Sequence, residues 1–172
     1  KVGPDGVAWT ADRVPFRSVR AGENIAVVTR AGGFPERLEI PVGAGGQTLY
    51  LMLSGITFPA QSHVPNLRLV LRWDVGPDQT VELANPDGIG DCWSSCVGRF
   101  HDTPANGFEN LGGRFGPAGS AAAADLTRPV AVDTEAHLLA LPMRPGARLE
   151  QLTIEAVAND AVFGLMGARV LR

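Results

Sequence analysis

Leu67-Arg68-Leu69-Val70-Leu71-Arg72-Trp73-Asp74 places large apolar side chains at 67, 69, 71 and 73, with arginine, valine or aspartate between them. Period two is the mark of a β-strand with one buried and one wetter face, because successive side chains of a strand point to opposite sides of the sheet. The same reading extends in both directions. Thr48 to Leu53 is a short continuous apolar run, which suits a central strand covered on both faces. Asn24 to Thr29, Leu38 to Val42, Thr80 to Leu83, Pro129 to Val132, His137 to Leu141, Leu149 to Ala158 and Val162 to Leu171 bring the set to roughly nine strands.

Turn chemistry separates these runs at Gly32-Gly33, Gly43-Ala44-Gly45-Gly46, Gly76-Pro77-Asp78, Pro86-Asp87-Gly88, Pro145-Gly146 and Asn159-Asp160. Leu152, Ile154, Ala156 and Ala158 alternate with Thr153, Glu155 and Val157, and the Asn159-Asp160 turn leads into another apolar run, so a terminal hairpin is predicted. Helical periodicity is confined to Ser120–Asp125, an alanine run that Ser120 is placed to cap. Many short strands with regular turns predict an all-β fold, an antiparallel β-sandwich or jelly roll with one long irregular excursion.

The composition agrees. At 172 residues the chain fits one domain able to bury a sizeable core, so residues 1–172 are expected to form a single β-sandwich. Hydrophobic residues make up 45% and charged ones 19%, which excludes wholesale disorder. The 21 glycines and 13 prolines are scattered rather than periodic, as in a turn-rich β-protein and unlike collagen. A net charge of -3 with arginines spread along the chain argues against a nucleic-acid partner. No apolar run approaches the roughly 18 residues that span a bilayer, so no membrane partner is expected and the domain is expected to be soluble. Opening on Lys1 and closing on Arg172 at the end of an apolar strand, the chain is expected to be a module of a larger protein, or one whose leader was removed.

Between Gly88 and Ser120 the strand pattern stops: GIGDCWSSCVGRFHDTPANGFENLGGRFGPAGS. A segment of this length without regular structure inside a compact domain is uncommon and is usually functional or disordered, and its four aromatics argue against disorder. Carbohydrates present apolar C–H faces and rings of hydroxyls, so a site for them wants flat aromatics flanked by planar or charged hydrogen-bonding groups. Trp93, Phe100, Phe108 and Phe115 can supply the first, and Asp91, Arg99, His101, Asp102, Asn106, Glu109, Asn110 and Arg114 the second; Asp91, Trp93, Arg99, His101, Asp102, Asn106 and Glu109 are the candidate ligand-binding residues. Each has a plainer reading. Trp93 can plug the space over the neighbouring cysteines, and Phe100, Phe108 and Phe115 can anchor the loop as a satellite core. Arg99, Asp102, Glu109 and Arg114 can pair with one another, and His101-Asp102-Thr103 can be a local turn.

Cys92 and Cys96 are the whole cysteine inventory. Common zinc sites want further Cys or His ligands, and only His101 is near in sequence. A disulfide closing this five-residue loop fits better and is worth about 2 kcal/mol by chain entropy. It would place the protein in an oxidising compartment, whereas two reduced thiols would suit the cytosol. Asn85, Asp87 and Asp91 have the oxygen-rich spacing of a calcium site without the full EF-hand register, which leaves a structural calcium open as a cofactor. His63 reads as a solvated loop residue and His137 as a strand-edge residue. No G-x-S-x-G elbow, H-E-x-x-H pair or phosphate loop occurs. Asp91, Asp102 and Glu109 are the carboxylates that a glycosidase pair would draw on.

The run Leu49-Tyr-Leu-Met-Leu-Ser-Gly-Ile56, then Leu67-Arg-Leu-Val-Leu-Arg-Trp-Asp74 and Thr80-Val-Glu-Leu83, resembles the galactose-binding-like jelly rolls attached to bacterial carbohydrate-active enzymes. The closing segment from Leu149 to Ala168 is similar to the final hairpin of such domains. The resemblance covers the sandwich strands and implies a secreted or periplasmic, non-catalytic module beside the catalytic domain of a glycoside hydrolase or polysaccharide lyase. Its partners would be a polysaccharide or oligosaccharide and that neighbouring domain. The Gly88–Ser120 insertion departs from the family's short connections. Two other readings remain: a structural module that packs between domains, and a small hydrolase or lyase in its own right.

Overall fold

The structure is a computed structural model that describes residues 6–10, 13–17, 25–56, 64–84, 127–129, 137–159 and 161–172. The described strands are β1 (Val7–Trp9), β2 (Pro15–Arg17), β3 (Ala26–Thr29), β4 (Arg37–Ala44), β5 (Thr48–Ile56) and β6 (Pro65–Trp73), followed by β7 (Gln79–Ala84), β8 (Thr127–Pro129), β9 (His137–Pro142), β10 (Leu149–Ala156) and β11 (Val162–Leu171). They form a four-stranded sheet in the order β4-β10-β6-β7, a five-stranded sheet in the order β3-β11-β5-β9-β8 and a two-stranded ribbon β1-β2. All pairings are antiparallel. No helix occurs among the described residues, and none is long and apolar enough to cross a membrane.

The alternation of β6 is realised as its period requires. Leu67, Leu69, Leu71 and Trp73 are buried, while Arg68 and Val70 are half-buried and Arg72 is exposed. β10 lies between β4 and β6, with Leu152 opposite Ile40 and Leu71, and Ile154 opposite Leu38 and Leu69. A bulge between Leu149 and Gln151 inserts one residue, so that Leu149 and Leu152, three apart, both reach the core. From the five-stranded sheet come Leu49, Leu51, Leu53, Leu139, Leu141 and Phe163, and all of these belong to one hydrophobic cluster with the inner face of the four-stranded sheet. The architecture is therefore all-β and sandwich-like. Each fully buried leucine is worth about 1.5–3 kcal/mol relative to exposure, so this shared layer is the main source of stability.

β5 is central, with β11 on one side and β9 on the other, as its continuous apolar run predicts. Its second face is covered too. Val14 and Phe16 pack with Leu138 in a smaller cluster against Tyr50 and Met52, so the β1-β2 ribbon forms a third layer over the outer side of the five-stranded sheet. The sequence reading did not foresee this ribbon.

The predicted terminal hairpin is not formed. β10 pairs with β4 and β6, whereas β11 pairs with β3 and β5, so the two closing strands lie in different sheets. The connection is an arch whose backbone finds its partners elsewhere. The N–H groups of Val157 and Ala158 donate to the Asn66 carbonyl at 2.9 and 3.4 Å. The Thr29 hydroxyl donates to the Ala161 carbonyl at 2.7 Å and accepts from the Ala31 N–H at 3.0 Å. Ala158 and Ala161 are buried on either side of the turn, and each strand then turns its apolar face to the common core. β8 covers Thr127–Pro129, earlier than the predicted Pro129–Val132, and residues 130–132 lie outside the described residues, as does the Ser120–Asp125 helix.

Candidate functional site

Asp91, Trp93, Arg99, His101, Asp102, Asn106 and Glu109, with Cys92 and Cys96, all lie outside the described residues, as do Asn85, Asp87 and His63. The flanks of that segment are described. It leaves the four-stranded sheet after Ala84, which pairs with Pro65, and rejoins the five-stranded sheet at Thr127, which pairs with Leu139. Both mounting points are thus backbone-paired positions in antiparallel sheets. His137 opens β9, where it pairs with Leu53 and Pro129, consistent with its strand-edge reading.

The described part offers a concave feature of its own. β3 pairs with β11 only from Val162 to Leu165, so from Gly167 onward β11 has β5 on one side and no strand on the other among the described residues. The edge strand β4 of the opposite sheet lies across this gap, leaving a cleft of about 310 Å³. Ile40 and Val42 of β4, Leu49, Leu152, and Ala168 and Val170 of β11 line it, and Arg169 is the one charged residue of its lining. Next to the lining residue Val170, Gly46 packs so closely that a Cβ there would come within 2.5 Å of the Leu171 carbonyl oxygen and of Val170 Cγ1. Such a lining can shelter an apolar group but holds no acid, base or nucleophile. Pro41 on the β4 side lacks an N–H, which blunts that edge against stray strand pairing.

Charged chemistry is found on the outer face of the four-stranded sheet. Arg68 Nη2 lies 3.0 Å from Glu82 Oε1 and its Nη1 3.3 Å from Glu155 Oε2, while Arg37 and Glu39 pair at 2.6 Å along β4. The hydrogen bonds that Arg68 donates to Glu82 are the main cause that raises its pKa above the ordinary value, against some desolvation and with help from the charge of Glu155. The Arg68 pairs cross strands and fix register more than they add stability, while the Arg37–Glu39 pair lies within one strand; all are largely exposed to solvent. At the end of the sheet, Arg144 stacks 5.3 Å from the centre of the Trp73 ring and donates to the carbonyls of Val75 and Pro77. Asp74 accepts from the Arg148 N–H at 2.9 Å, so two arginines of the β9–β10 turn hold the β6–β7 turn. No group of three or more His, Cys, Asp or Glu residues able to hold a metal ion occurs among the described residues.

Two exposed aromatics, Trp9 and Phe34, were not singled out from the sequence. Trp9 is 59% exposed and pairs with Pro15 across the ribbon. Its signal was the Val7-Ala8-Trp9 and Val14-Pro15-Phe16 pair of short apolar runs, masked by a proline that argues against a strand. Compared with protein-family models, with curated proteins and with solved structures, the chain matches none.

Proposed function

We propose that this chain is a non-catalytic carbohydrate-binding or accessory module of a secreted carbohydrate-active enzyme, with the jelly-roll topology of galactose-binding-like domains. The observation that carries the reading is the mounting of the long insertion. A segment rich in aromatic and hydrogen-bonding residues is spliced between Ala84 and Thr127, both strand-paired, on a core filled almost wholly by leucine and other apolar side chains. Function on such a scaffold is carried by loops held on rigid sheets. Asp91, Trp93, Arg99, His101, Asp102, Asn106 and Glu109 are the residues assigned to sugar contact, the Cys92–Cys96 disulfide to bracing the loop, and a structural calcium to its acidic flank. The test is a glycan array followed by calorimetric titration of the whole chain. Binding to at least one glycan, weakened tenfold or more by Trp93→Ala, is expected; no binding to any glycan on the array overturns the reading. Thiol counting before reduction tests the disulfide, with no free thiol expected in protein exported to an oxidising compartment.

A second reading, a module that packs against a neighbouring catalytic domain, draws support from Phe34, 59% exposed between the left-handed Gly33 and Pro35, and from the exposed Val64 before β6. If it holds, Phe34→Ser lowers the thermal stability of the parent enzyme without altering that of the isolated chain.

A further inference from the structure

The β1-β2 ribbon is fixed from below, and among the described residues no cluster covers it above. Phe16 and Val14 are buried against Tyr50, Met52 and Leu138, and the alternate positions Pro15 and Arg17 point away from that cluster. Trp9 stands opposite Pro15 in the ladder, so its exposed indole lies on the outward face. The residues that flank the turn are tied together: Thr10 is buried, its hydroxyl accepts from the Val14 N–H at 3.0 Å, and its carbonyl accepts from the Arg13 N–H at 3.0 Å. Arg13 sits there with φ of 59°, a left-handed conformation that an arginine rarely adopts and that the surrounding hydrogen bonds impose. Arg13 and Arg17 therefore bracket Pro15, both exposed, and neither guanidinium has an ion pair or hydrogen bond among the described residues.

An exposed indole on a ribbon that also carries two exposed arginines, neither of them ion-paired among the described residues, is complementary to an acidic sugar. The C–H face of a pyranose ring covers the aromatic surface, and its carboxylate accepts paired hydrogen bonds from a guanidinium fork. We propose that the Trp9–Pro15 face, flanked by Arg13 and Arg17, binds a uronate residue of an acidic polysaccharide. The proposal shares its ligand class with the carbohydrate reading above but uses none of the residues of the insertion. An anionic bilayer would satisfy the same charges, but an interfacial anchor sinks a broad apolar face about 5–10 Å into the headgroups. One indole beside one proline fits a single sugar ring better.

The test is calorimetric titration of the whole chain with hexagalacturonate, alongside a neutral galactan oligosaccharide and vesicles containing phosphatidylserine. Hexagalacturonate is expected to bind and to quench the exposed-indole emission. Trp9→Ala should weaken it tenfold or more, and Arg17→Gln several-fold with a smaller salt dependence; Arg72→Gln, exposed on the outer face of the four-stranded sheet, should leave it unchanged. Because Trp9 is exposed, an unchanged thermal midpoint of Trp9→Ala confirms that folding is intact. Failure of hexagalacturonate to bind overturns the proposal, as does binding that survives Trp9→Ala, binding lost only in Trp93→Ala, or Trp9-dependent binding to vesicles alone. Loss of neutral-glycan binding in Trp93→Ala, by contrast, speaks to the insertion and not to the ribbon.

Discussion

Phe16 stands over Gly167. A Cβ built on Gly167 would lie 2.8 Å from Cδ1 of the Phe16 ring, at the bulge between Leu165 and Gly167 where β11 changes register against β5. The ribbon thus docks through an aromatic ring seated on bare backbone. Gly167→Ala is expected to push the ring outward and cost about 1–3 kcal/mol, the usual range for overpacking. Hydrogen exchange checks it: the Thr10 and Val14 amides should lose protection while those of β6 and β10 keep theirs, because a two-stranded ribbon is not stable alone. Equal loss of protection in all of them would show that the ribbon is part of the global core.

Trp73 is buried, yet its Nε1 finds no acceptor among the described residues. A buried polar group without a partner costs about 1–3 kcal/mol. Trp73→Phe removes that N–H together with part of the ring, so relief of desolvation offsets the lost packing. Urea denaturation should give a change within about 1 kcal/mol, against about 2–5 kcal/mol for Leu69→Ala in the same core. A Trp73→Phe loss as large as that of Leu69→Ala would mean that the indole nitrogen is satisfied in solution.

Arg144 joins the β9–β10 turn to the β6–β7 turn through two backbone carbonyls and the Trp73 ring. Its planar fork reaches both carbonyls at once, which a lysine ammonium cannot do from one position. Arg144→Ala is expected to cost about 1–2 kcal/mol, and Arg144→Lys to recover less than half of it, measured by thermal unfolding. Full recovery by lysine would show that charge alone is what matters there.

Thr29 holds the arch between β10 and β11. Thr29→Val keeps the shape but strands the Ala161 carbonyl and the Ala31 N–H, both of which use the hydroxyl. A loss of about 1–3 kcal/mol is expected, with Thr29→Ser restoring most of it. Denaturant midpoints at constant slope are the measurement, and a neutral Thr29→Val would remove the hydroxyl from the account.

Arg68, Glu82 and Glu155 form an exposed cross-strand row. Replacing Arg68 with Met should change stability by less than about 1 kcal/mol, because solvent screens such pairs and the methionine stem still packs on the sheet. The difference should shrink further in 1 M salt; a larger loss that persists there would point to packing by the arginine stem.

What could be read from the chain alone was local. The alternation of Leu67, Leu69, Leu71 and Trp73 places β6 and names its buried face, since period two is a property of eight neighbouring residues. The leucine run of β5 marks a central strand for the same reason. The mixture of Trp93, Arg99, His101 and Glu109 likewise suggested a sugar site from residue type, while their mutual geometry depends on contacts outside the described residues. Pairing is not local. Where β10 and β11 separate into two sheets, Asn66 and Thr29, from distant parts of the chain, take up the arch backbone at Val157, Ala158 and Ala161. Trp9 was illegible for a related reason: a three-residue strand has no period to read, and an indole is equally suited to a core or a surface. Only the seating of Phe16 on Gly167 settles which side of the ribbon is buried, and so leaves Trp9 facing out.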